Sequence, residues 1–225
     1  MSTSIKTDKS KTFTMVGMGI MILLVLTKIV PTLQLADYSM FVGLAFFFIV
    51  ESVAKTPDDE SDLRFKTIFT DLKKPGVLFW TLLPIASAIG SIVLSNVLFG
   101  DQYVSHVLER TSDIFTFDQI FFLILQLIFP AFAEEIAFRG FFIGKGMKLF
   151  PYWLCVVVSS AIFALAHLAA GNIGILVFDI VGIFIDGLIY ATIFKKQEIV
   201  LLAQFHIFFV MCLDLLLFFC LCKLE

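Results

Sequence analysis

Glu134 and Glu135 stand side by side in an otherwise apolar stretch, with Arg139 four positions after Glu135. Further on, His167 and His206 each lie alone within apolar sequence. These five side chains can carry charge or move a proton; their immediate neighbours cannot. Glu135 and Arg139 fall at i and i+4 on one helical face, where a carboxylate and a guanidinium can pair bidentately and offset the cost of burial. Glu134 is rotated by about 100° from its neighbour and is left as the unpaired carboxylate. A Glu beside a His in a low-dielectric pocket can deprotonate a water for attack on a peptide carbonyl. A second His can donate a hydrogen bond to the developing oxyanion. One Glu and two His, here Glu134, His167 and His206, could instead bind zinc. No HExxH helix is present, so zinc is the minor alternative and no cofactor is expected. A charge-pair staple between helices is the plain structural alternative, which two adjacent glutamates serve badly because one Arg neutralises only one of them.

These groups need elements that hold them inside apolar surroundings. The chain of 225 residues is 60% hydrophobic and 16% charged and contains 28 Phe, far more apolar than the roughly 45–50% of a soluble domain. Its charges fall in short clusters separating runs long enough to cross a hydrocarbon core of about 30 Å as helix. The predicted class is all-α, a polytopic transmembrane bundle with about seven spans near 13–33, 38–54, 76–99, 118–148, 151–170, 173–194 and 197–222. A cytoplasmic N-terminus places 13 of the 16 Lys and Arg on the cytoplasmic side, as the positive-inside rule requires. The spans divide into an N-terminal set, 1–117, with a cytoplasmic loop near 55–75, and a core, 118–225, within one compact domain. Ala86 with Gly90, Ala166 with Ala170, and Gly182 offer small residues for close helix packing.

A charge at the centre of a spanning helix costs on the order of 2.5–3.5 kcal/mol, so each one asks for a partner or a function. If the helices around 134 and 167 form a hairpin turning near Phe150, Glu134 lies 16 residues before the turn and His167 lies 17 after it. At a rise of about 1.5 Å per residue both reach nearly the same depth. Pro130 should kink the first helix before the acidic pair, and Gly140, Gly144 and Gly146 allow a break after Arg139. Asp179 and Asp186, at i and i+7, should share one inward face. His106 reads as a surface residue of an outer loop, and Cys155, Cys212, Cys220 and Cys222 as apolar-run residues without metal spacing. A net charge of −3 and no basic stripe exclude nucleic acid as a partner.

Glu134-Glu135-xxx-Arg139 and Phe163-xxx-His167 resemble the EExxxR and FxxxH motifs of the CAAX-protease and bacteriocin-processing (Abi) family of membrane peptidases. The resemblance covers about residues 118 to 215. The family's third motif, HxxxN, reads His206 followed by Val210, so its Asn is replaced. The resemblance implies an intramembrane endopeptidase in which Glu134 and His167 activate water and His206 joins the oxyanion site, with Glu135 and Arg139 in support. It implies a peptide or protein substrate and a lipid environment, a bacterial plasma membrane by analogy, with roles in peptide or bacteriocin processing or self-immunity. Losing one oxyanion donor commonly costs about 10²–10³ in rate. Neither Gln204 nor Asp214 occupies the position of the missing Asn. The alternative is a non-catalytic membrane regulator or immunity protein on the same scaffold. A proton-coupled transporter is a lesser one, since buried acids and histidines also build proton relays. An aspartyl protease using Asp179, Asp186 or Asp214 lacks its GxGD signature.

Overall fold

The computed structural model describes residues 2–30, 32–54, 76–112 and 120–197. Within them the chain forms α1 (Ser2–Leu26), α2 (Tyr38–Ala54), α3 (Val77–Phe99), α4 (Asp101–Ser112), α5 (Ile120–Glu134), α6 (Tyr152–Ala166) and α7 (Ile173–Gln197). No strand occurs among the described residues. The all-helical class expected from the apolar periodicity is therefore observed. The loop near 55–75, the last expected span at 197–222 and the cysteines Cys212, Cys220 and Cys222 lie outside the described residues.

Three of these helices are long and apolar enough to cross a membrane: Asp8–Ile29, Leu82–Phe99 and Ile173–Lys196. Tyr38–Ala54 and Tyr152–Ala166 are shorter apolar helices. Their outward faces carry large apolar side chains in the open, among them Val97 at 79%, Ile173 at 78% and Leu23 at 66% exposure. Contiguous apolar surface of this kind is unstable in water and natural against lipid.

Where one continuous helix was expected over 118–148, the backbone changes pitch instead of breaking at a glycine. α5 runs past Pro130 and at Glu135 widens into a π-helical segment, Glu135–Lys145, closed by a 3-10 turn at Gly146–Lys148. Stretches of π-helix are rare and concentrate at functional sites. All eleven residues of this segment are buried, which makes it the axis of the core. Met18, Met21 and Val25 of α1, Phe47 and Val50 of α2, Cys155, Ile162 and Phe163 of α6, and Ala191 and Phe194 of α7 pack around its Ile136, Phe138, Phe141 and Phe142.

Of the small residues expected to bring helices together, Ala166 packs against the core, while the others make no close crossing among the described residues. A Cβ placed on Gly90 or Gly182 would meet nothing among the described residues, and Ala86, Gly90 and Ala170 are exposed. The close crossings lie at Gly43, where a Cβ would come within 2.6 Å of the Ala137 Cβ, and at Gly187, where it would come within 2.9 Å of the Ser160 Cβ. Spacing of small residues signals where helices can approach; the partner helix decides where they do.

α4 corrects a second expectation. Residues 101–112 were read as part of an outer loop and His106 as a surface residue; they form a helix, and His106 is buried at 7% exposure. Tyr103, His106, Val107 and Arg110 recur at helical spacing, a short amphipathic signal hidden by the polar residues between them.

Candidate active site

α6 begins after Pro151, whose fixed φ of −57° suits entry into a helix. It packs antiparallel on the π segment. Gly146 faces Cys155, its notional Cβ 3.1 Å from the Cys155 sulfur. The Phe138 and Phe163 rings meet edge to face at 5.1 Å between centroids, and the Ser159 hydroxyl donates to the Phe138 carbonyl at 3.1 Å. These contacts define a hairpin register turning at Leu149–Pro151.

The two adjacent glutamates occupy different environments. Glu135 is fully buried and Glu134 is partly exposed. Arg139 Nη1 lies 2.9 Å from Glu135 Oε1, at 1% exposure for the whole arginine. The pair makes this single ion contact without hydrogen-bond alignment, not the bidentate fork that the i, i+4 spacing suggested. What the guanidinium lacks in carboxylate contact it gains from aromatic faces. Its carbon lies 4.6 Å from the Phe163 centroid and 5.4 Å from that of Tyr190 on α7, both within cation–π range.

His167 stands at the C-terminal end of α6 with φ −87° and ψ 3°, in the sparsely allowed bridge region where many active-site residues sit. Its Nδ1 is 2.8 Å from the Phe163 carbonyl oxygen. A carbonyl can only accept, so Nδ1 carries a proton; in the neutral imidazole Nε2 then keeps its lone pair. The Phe163 ring also packs against the imidazole at 4.7 Å. Phe163 thus touches both Arg139 and His167.

The structure therefore joins Glu135, Arg139, Phe163 and His167 in one contact chain and places Glu134 at its edge. His206, Val210, Gln204 and Asp214 lie outside the described residues. Among the described residues no group of three or more His, Cys, Asp and Glu is placed to hold a metal ion; the zinc alternative needs His206 as its third ligand. Asp179 and Asp186 do face inward as their spacing suggested. Asp179 receives Arg110 and Tyr103 of α4, and Asp186 accepts from the Ser87 hydroxyl of α3 at 2.7 Å. Two buried contributors escaped the sequence reading. Tyr190 has no motif to mark it. Lys145, counted there only as a cytoplasmic charge, is buried and paired with Glu51 over the Phe47 ring.

Residues 116–212 match the family model for the type II CAAX prenyl endopeptidase Rce1-like family. The match bears out the resemblance carried by the two motifs and contains all of the candidate residues. No curated protein and no solved structure matches the chain.

Proposed function

From the match of residues 116–212 to the model of the Rce1-like family, a family of membrane-embedded proteases, we propose that this protein is an intramembrane endopeptidase working through a glutamate-activated water. The observation that carries this reading is the division of labour between neighbours: Glu135 is buried against Arg139, while Glu134 stays partly exposed. Glu134 takes a proton from water as the oxygen attacks the scissile carbonyl, and returns it to the leaving nitrogen as the C–N bond breaks. The Nε2 lone pair of His167 accepts a hydrogen bond from the same water, oriented by the Nδ1–H bond to Phe163. His206 donates to the oxyanion. Glu135, Arg139 and Phe163 hold the frame. The mechanism uses no metal.

Seven spans with a cytoplasmic N-terminus suit the distribution of Lys and Arg, and the short loops suit a bacterial plasma membrane. By that analogy the substrate is a peptide or small protein, in bacteriocin processing or self-immunity. The core at 118–225 carries the catalytic residues, with 1–117 supporting it.

The test is cleavage of a peptide library by the purified protein in detergent, read by mass spectrometry. Wild type, Glu134→Gln and His167→Ala are compared with and without chelator. Cleavage by wild type alone that survives chelation supports the proposal, and loss on chelation moves the site to zinc. Val210, in place of the family's Asn, favours a second reading: a non-catalytic regulator or immunity protein on this scaffold. A folded wild type that cleaves nothing across a broad library would select it.

A further inference from the structure

α7 carries a buried carboxylate that the proposed chemistry does not use. Asp179 is 3% exposed and is ion-paired with Arg110 of α4. The Tyr103 hydroxyl donates to its Oδ1 at 3.2 Å. His106 lies between these two on the same helical face, its Nε2 3.9 Å from Asp179 Oδ2 and without a hydrogen-bond partner among the described residues. One carboxylate of α7 thus gathers three side chains of α4. A buried charge is tolerated when it is paired and hydrogen-bonded in this way. Aromatic contacts seal the junction: Phe99 and Tyr103 both meet the Phe178 ring edge to face, at 5.5 and 5.3 Å.

The opposite side of His106 lies against the loop that follows His167. A Cβ added to Gly171 would fall 3.0 Å from Nδ1 and 3.2 Å from Cε1 of the His106 ring, so ring and backbone are already in contact. That loop leads from His167, at the end of α6, to α7, where the Asn172 side chain accepts from the Gly174 N–H at 2.8 Å.

We propose that Asp179, with Tyr103, His106 and Arg110, forms a clasp that positions His167. Asp179 anchors α4, α4 presents His106 against Gly171, and the loop so pinned fixes the end of α6 where His167 stands. The four are positioning residues and do not touch the reacting atoms. The catalytic part of this inference rests on the proposed role of His167; the structural part does not.

The chain has three histidines, so full-length protein labelled with isotopic histidine gives three imidazoles by nitrogen NMR in detergent, assigned with His106→Gln, His167→Gln and His206→Gln. In wild type His167 is expected as the neutral form protonated on Nδ1. Asp179→Leu and Arg110→Met should each shift or broaden the His167 signal, and the exchanged pair Asp179→Arg with Arg110→Asp should restore it. Asp186→Asn, on the same helix but outside the clasp, should leave it in place. If Asp179→Leu fails to fold, Arg110→Met carries the same comparison at a less buried site. A His167 signal unmoved by the clasp variants overturns the proposal, as does an equal shift in Asp186→Asn. Where wild type cleaves peptide, the clasp variants should lower kcat, by on the order of 10²-fold for a displacement near 1 Å, with little change in KM. Where no peptide is cleaved, the His167 signal still decides the clasp and only the peptidase reading fails.

Discussion

The guanidinium carbon of Arg139 sits 4.6 Å from the centroid of the Phe163 ring, and that same phenylalanine offers its carbonyl to the Nδ1–H of His167 at 2.8 Å. The arginine of the first motif and the histidine of the second are therefore held by one residue. The acidic pair and the imidazole cannot be repositioned independently, which gives several substitutions distinct expected effects.

Glu134→Gln should abolish peptide cleavage with the melting temperature in detergent nearly unchanged, since only a partly exposed base is lost. Glu135→Gln should instead leave the buried Arg139 without its carboxylate, at a cost on the order of 3–5 kcal/mol. Thermal unfolding of the two variants side by side checks this. The reverse pattern would mean that the roles of the two glutamates are exchanged.

Phe163→Leu removes the aromatic face from Arg139 and the ring contact with His167 while leaving the backbone carbonyl. Loss of a desolvated cation–π contact is expected to cost about 2 kcal/mol, with kcat falling more than KM. A variant of wild-type stability and turnover would show that the ring only fills space.

Gly43→Ala and Gly187→Ala push a methyl into a neighbouring helix and should each destabilise the protein by about 1–3 kcal/mol. Gly90→Ala and Gly182→Ala meet nothing among the described residues and should be neutral or stabilising by roughly 0.5–1 kcal/mol. Melting temperatures of the four variants would separate the two pairs if the observed helix crossings are right.

Val210→Asn restores the polar group expected at the third motif. If the substitution alone limits activity, cleavage should rise by up to about 10²–10³, the usual worth of one oxyanion donor. An unchanged rate in a folded variant would place the limit elsewhere.

Much of this protein is legible in its linear chemistry. The apolar runs marked the helices, and α2 spans Tyr38–Ala54 as expected from its polar breaks, because a helix in lipid must satisfy its backbone internally and needs only a long enough apolar run to do so. The adjacency of Glu134 and Glu135, their spacing from Arg139, and Phe163 four residues before His167 were enough to indicate the family, since motif chemistry is local. Four features were decided by the tertiary structure. The π-helical pitch from Glu135 to Lys145 depends on what the surrounding helices leave room for. Tyr190 meets Arg139 only because α7 packs beside α6. His106 is buried because α4 folds onto a charge at Asp179, 73 residues further along the chain. The close crossings fall at Gly43 and Gly187 because Ala137 and Ser160 face them. In each case the deciding contact joins residues distant in sequence, and local periodicity carries no record of which face will meet which partner.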